Sequence, residues 1–135
     1  MTRGIKFNKD KPRMSLIPHA PMRAVAYTFT YGEKKYDAHN WSKGLNFSEL
    51  LDSAERHIGS FKDGENLDKE SNLHHLAHAI ACLIYLLWFI WRDRRELDDR
   101  LLKDNKGWGR NFFTKMKEPP IKLREGSEHE SGRRV

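Results

Sequence analysis

The stretch AHAIACLIYLLWFIW, from Ala77 to Trp91, constrains this chain more than any other. It carries no charged residue but falls short of the roughly 20 residues needed to cross a bilayer, so it predicts a buried helix rather than a membrane span. From Ile80 to Trp91 the helix is apolar on nearly every side, which places it at the centre of a bundle or at a subunit interface. Apolar residues make up 38% of the 135-residue chain and charged ones 33%. A core therefore forms only where the apolar residues are concentrated, and one domain is the natural size.

The remaining elements are read around that helix. Pro12, Pro18 and Pro21 make the first twenty residues an extended arm, with Pro21 as an early residue of a first helix. That helix has apolar spacing at Met22, Val25, Ala26 and Phe29, and Gly32 is expected to end or loosen it. EKKYDAHNWSKG reads as a turn of helix followed by a loop. Asn46 and Glu49 have capping-box spacing, and Leu50, Leu51, Ala54, Ile58 and Phe61 form the stripe of a second helix that stops near Gly64. Asp68 or Ser71 is the expected cap of the third helix, which runs through Trp91 and as far as Leu102. There is no repeat and no alternating strand pattern, so the predicted class is mainly α. The expected organisation is an all-α domain over residues 1–117, with residues 1–20 as its basic arm and 118–135 as a flexible, disordered tail.

Cys82 is the only cysteine, which rules out an intrachain disulfide and a multi-cysteine zinc site and fits a reducing cytoplasm. After Met1, basic and acidic residues interrupt any signal-type apolar run. The net charge of +6 and pI near 9.5 favour a polyanionic partner: nucleic acid, a membrane surface or the phosphates of a small molecule. Much of the excess lies in the arm, where Lys6, Lys9, Lys11 and Arg13 stand against Asp10 alone in KFNKDKPR.

His75 and His78 share a helix face, and His57 lies on the inward stripe of the preceding helix, so three imidazoles from two helices are expected to meet. Each histidine taken alone is more simply read as a satisfied core or helix-end residue. Asp52 recurs with Glu49 and Glu55 along the second helix, while Glu65, Asp68 and Glu70 crowd the loop before the histidines. Hard divalent cations take carboxylate oxygens, and such an ion polarises an attacking water. Solvated faces and helix caps are the plainer readings of the same acids. Lys34 and Lys35 stand beside Tyr36, Asn40 and Trp41, types suited to base stacking and base-edge hydrogen bonds.

Four ordered blocks, KFNKDKPRMSLIP, YGEKKYDAHNW, ERH and GENLDKESNLHHLAHA, resemble the phage dATP/dGTP diphosphohydrolase family, the MazZ-type relatives of MazG-like all-α nucleotide pyrophosphohydrolases. The likeness spans about Ile5 to Leu87. It implies a helical bundle of that type that cleaves a purine deoxynucleoside triphosphate to monophosphate and pyrophosphate with a divalent metal, Mg2+ or Mn2+. It also implies a homo-oligomer, dimer or higher, in the host cytoplasm of a phage whose DNA carries 2-aminoadenine. By position, Lys6, Lys11 and Arg13 would meet phosphate, and Lys34, Lys35, Tyr36, Asn40 and Trp41 would line the nucleotide pocket. Arg56, His57, Glu70, His75 and His78 would be catalytic, with Asp52, Glu65, Asp68 and Glu70 as metal ligands.

The chain departs from the family pattern at Asn8, Asn66 and Asn72, which stand where an acid, an acid and a glycine are usual. The EExxE and ExxD motifs of MazG-like proteins are also not present in plain form. Two other functions compete: a small basic nucleic-acid-binding accessory protein, prompted by NKGWGRNFFTKMK, and a metal phosphohydrolase of nucleoside monophosphates. The enzyme reading expects no membrane association and no stable nucleic-acid complex.

Overall fold

A computed structural model describes residues 2–101. The tail, the GWGRNFF segment and the expected domain end at residue 117 lie outside them. Among the described residues there are three α-helices, α1 (His19–Lys35), α2 (Phe47–Lys62) and α3 (His75–Trp91), with 3-10 turns at Met14–Leu16, Asn40–Lys43 and Arg95–Leu97. The mainly-α expectation holds. An isolated antiparallel bridge between Leu67 and His74 is the only β pairing among these residues.

α3 is the central element, with both other helices packed on it. The packing follows side-chain size. Ala77 and Ala81 meet Val25 of α1, with Phe29, Ile84 and Tyr85 at the margin, so the small residues let the two backbones approach. Phe47, Leu50 and Ala54 bury the inner stripe of α2. Beyond that stripe Ile58 and Phe61 remain partly exposed. On α3 itself Ile80, Leu83, Leu87, Trp88 and Trp91 keep 40% to 59% of their surface exposed. Among the described residues, the all-round apolar helix therefore has one face that no other element covers. No helix among the described residues is long and apolar enough to cross a membrane.

Helix boundaries show where local rules were overridden. α1 runs through Gly32 to Lys35, because a helical glycine costs only about 1 kcal/mol relative to alanine and Gly32 still accepts the Tyr36 N–H at 2.9 Å. It starts at His19, three residues before Met22, and Pro21 falls in the first turn, where its missing N–H has no helical partner to lose. α3 is capped by His74, whose Nδ1 accepts the Leu76 N–H at 3.0 Å, rather than by Asp68 or Ser71. It ends at Trp91, well short of Leu102. The Asp93 N–H bonds to Ile90 O at 3.1 Å and the Arg94 N–H to Phe89 O at 2.9 Å, with Asp93 left-handed at φ 54°. This is a Schellman ending built without glycine, the residue that usually marks one in a sequence.

The Asn46–Glu49 capping box opens α2, with the Asn46 N–H donating to Glu49 Oε2 at 3.0 Å. Asn46→Ala is expected to lower stability by about 1 kcal/mol, read as a shift of the urea midpoint with an unchanged slope.

Candidate functional site

The loop between α2 and α3 is folded by its own polar groups. The Asp68 N–H donates to Leu73 O at 2.8 Å, the Asn72 N–H to Asp68 O at 2.7 Å and the His75 N–H to Asn66 O at 3.0 Å. Gly64 (φ 95°) and Asn72 (φ 59°) take left-handed conformations. Asparagine is among the few side chains that tolerate this region, which explains how Asn72 can occupy a position where the family pattern has glycine. The result is a turn braced by its own hydrogen bonds that carries Glu65, Asp68 and Glu70 to the first turns of α3.

Three imidazoles meet there. His57 of α2 stacks on His78 of α3, with ring centroids 4.6 Å apart and planes 7° from parallel. His57 Nδ1 lies 2.8 Å from His75 Nδ1. His75 is buried, and its Nε2 donates to Glu65 Oε1 at 3.1 Å. Asp68 Oδ2 accepts the Ser71 N–H at 2.9 Å and the Ser71 hydroxyl at 2.8 Å. Since the Ser71 proton is committed to Asp68, His78 Nε2 must donate to Ser71 Oγ across their 2.7 Å separation. That assignment leaves His78 Nδ1 unprotonated when the ring is neutral.

Burial lowers the pKa of His57, and the neighbouring His78 and His75 add to the effect. Burial likewise lowers that of His78, against the opposing pull of Asp68. Both rings are therefore neutral over more of the pH scale than a free imidazole. Burial would raise the Asp68 pKa, but the two hydrogen bonds from Ser71 and the nearby histidines outweigh it and hold the carboxyl below its usual range. His57, Asp68 and His75 each offer a ligand atom within 4.8 Å of the others, a group that could hold a metal ion.

Glu70 stands apart from this group. It accepts hydrogen bonds from the Lys35 ammonium and, at 3.1 Å, from the Tyr31 hydroxyl, both on α1. Lys35 and then Tyr31 hold its carboxyl below the ordinary range. Tyr31 also meets His78 edge to face at 6.3 Å, tying α1 to the cluster. On its other side Lys35 Nζ lies 5.5 Å from the Tyr36 ring centroid. Tyr36, Asn40 and Trp41 line a cavity of about 450 Å³ with Phe29, Asp37 and Tyr85. Trp41 stacks on Tyr85 at 4.8 Å, and burial pushes the Tyr85 hydroxyl up to about 12.

The structure thus brings His57, His75, His78, Asp68 and Glu65 into one cluster and joins Glu70 to Lys35 beside it. It does not bring Asp52 there. Asp52 is exposed on α2, and five residues along a helix turn it about 140° away from His57. Arg56 is also exposed on α2, and Lys34 is exposed near the end of α1. Lys6, Lys11 and Arg13 lie in an arm whose described residues are exposed throughout. Sequence reasoning missed Ser71 and Tyr31 as members of the network. Ser71 was legible only as a helix cap, and Tyr31 gives no signal without knowing which way α1 faces.

These features define a small all-α domain whose central helix begins at a histidine and carboxylate centre suited to holding a cation and moving a proton. The chain belongs to the family described as dATP/dGTP diphosphohydrolase, N-terminal, which matches residues 1–100. It is 38% identical over 97 residues to a protein named dATP/dGTP diphosphohydrolase from Salmonella phage PMBT28, a stretch that is 72% of this chain and 33% of that relative. The chain therefore spans about a third of the length of this curated relative. No solved structure matches it.

Proposed function

We propose that this chain hydrolyses purine deoxynucleoside triphosphates, dATP and dGTP, to the monophosphate and pyrophosphate. The observation that carries the reading is the meeting of His57, His75, His78 and Asp68 at the start of α3, in a chain of this family. A divalent cation, Mg2+ or Mn2+, at His57, Asp68 and His75 would polarise the phosphate and lower the pKa of a water. The chain's own groups do the rest. The His78 Nδ1 lone pair takes the proton from water as its oxygen bonds to the α-phosphorus. The bond from that phosphorus to the bridging oxygen then breaks, and pyrophosphate leaves with the electron pair. Lys35, paired with Glu70, would meet the charge that gathers on the leaving group. The aromatic cavity at Tyr36, Asn40 and Trp41 suits a purine base, and Lys35 touches both the Tyr36 ring and Glu70.

In this reading the arm residues Lys6, Lys11 and Arg13 close over the triphosphate when it binds, and the uncovered face of α3 is covered in a homo-oligomer. The biological setting would be depletion of dATP where viral DNA carries 2-aminoadenine. Incubation with each dNTP and NTP plus Mg2+ or Mn2+, followed by product identification, is expected to show dAMP or dGMP with pyrophosphate and much slower pyrimidine turnover. Orthophosphate as first product would favour the phosphohydrolase alternative instead, and equal turnover of all four dNTPs would remove the purine pocket.

A further inference from the structure

The protonation pattern of the cluster says more about the cation than the carboxylates do. His75 Nε2 gives its proton to Glu65 Oε1 at 3.1 Å, so a neutral His75 carries its lone pair on Nδ1. That lone pair faces His57 Nδ1 at 2.8 Å. Two ring nitrogens this close need a positive centre, either one proton shared in a hydrogen bond or a cation that both can ligate. Asp68 adds a third donor, since both hydrogen bonds from Ser71 go to Oδ2 and leave Oδ1 available. Donors on a common ion at about 2.1 Å stand at most about 4.2 Å apart. One ligand atom from each of His57, Asp68 and His75 lies within 4.8 Å of the other two, close to the spread a single ion can bridge.

We infer that His57 Nδ1, His75 Nδ1 and an Asp68 oxygen form a centre for one first-row transition-metal ion, of the Mn2+, Fe2+, Co2+ or Zn2+ class, and hold it in preference to Mg2+. Imidazole nitrogen suits these ions, whereas Mg2+ favours oxygen donors and gives up its waters reluctantly. Glu65 is the positioning residue: its carboxylate accepts the His75 Nε2–H and turns the opposite nitrogen toward the ion, as outer-shell acids do at histidine metal sites. Of the four acids expected from sequence to ligate the metal, Asp68 is the one in the donor group; Glu65 acts through His75, and Glu70 is taken up by Lys35 and Tyr31.

This inference rests on the proposed reading of the cluster as a cation site but not on the substrate. The test therefore contains no nucleotide. Co2+ titrated into the metal-free full chain, followed by its visible absorption, is expected to saturate at one ion per chain and to resist a hundredfold excess of Mg2+. His57→Asn and Asp68→Asn are each expected to weaken Co2+ binding by roughly 100-fold, Glu65→Gln by about 10-fold with a shifted absorption band, and Glu96→Gln not at all. Because a cluster variant can lose its fold, the unaltered chain is also loaded with Mn2+ and probed for spin coupling to imidazole nitrogen. Nitrogen coupling from two rings supports the centre. Displacement of Co2+ by equimolar Mg2+, or Mn2+ bound without nitrogen coupling, overturns it. A chain that binds Co2+ as expected yet leaves dATP intact keeps this centre and loses the proposed reaction.

Discussion

Asp68→Asn is expected to lower dATP turnover by at least about 10²-fold while leaving the helical content and melting temperature close to those of the parent. The amide oxygen can still accept both hydrogen bonds that Ser71 gives to the carboxylate, so the loop keeps its turn. What disappears is the negative charge that faces His78 at 4.0 Å and supplies a ligand atom to the His57 and His75 group. A loss of that size is ordinary for a group that positions a cation or orients a proton acceptor. Ser71→Ala keeps the carboxylate but removes the hydroxyl that braces the turn and holds His78 Nε2–H, so stability and turnover should both fall, turnover by less than in Asp68→Asn. Glu70→Gln and His78→Ala should also fall by about 10²-fold. If Asp68→Asn melts early but turns over dATP normally, Asp68 is a loop residue and the reaction lies elsewhere.

The largest effect on stability is expected at Phe89, which has 0% of its surface exposed. It lies 6.3 Å from the Trp41 ring and beneath the Arg94 guanidinium at 6.0 Å, so it joins the end of α3 to the loop after α1 and to the chain that follows. Phe89→Ala should cost about 3–5 kcal/mol, since the ring is lost and the walls around it relax only in part. That corresponds to a fall in melting temperature of well over 10 °C. Phe89→Leu, which refills much of the space, should cost clearly less. Thermal melts of the three proteins test this directly. Equal melting of Phe89→Ala and the parent would mean that this end of α3 does not depend on the ring.

Much of this architecture was legible in the chain because the signals are periodic and local. The apolar run to Trp91 marks α3, the stripe after Asn46 marks α2, and the three-residue and four-residue spacing of the histidines predicts that they share a face. The ends of the helices were less legible. Asp93 closes α3 in a left-handed conformation without glycine, and His74 caps it in competition with Asp68 and Ser71, whose side chains bond to one another instead. The carboxylates were the least legible. Asp52, Glu65, Asp68 and Glu70 are alike in sequence, and only three-dimensional placement separates an exposed α2 acid, a partner of His75, a ligand-group member and a partner of Lys35.

The segment after α3 is attached across a long interval of chain. Arg94 Nη2 donates to Lys43 O at 3.3 Å, the Ser48 N–H donates to Asp99 Oδ1 at 2.8 Å, and both contacts join residues 51 positions apart. Gly44, at φ 123°, leaves room for the approach: a Cβ there would come within 2.9 Å of Arg94 Nη2 and 3.3 Å of Leu97. By contrast α2 and α3 are joined by a short loop and can find each other early. Once α2 and α3 pair, the end of α3 stands near the start of α2, so these ties close only a short further stretch of chain and depend on that pairing. Amide exchange at Ser48 is expected to report a local opening that leaves the pairing of α2 with α3 intact. The start of α2 is thus guarded by residues synthesised half a domain later, and a nascent chain released only as far as Trp91 would hold its helices together while the first turn of α2 still frays.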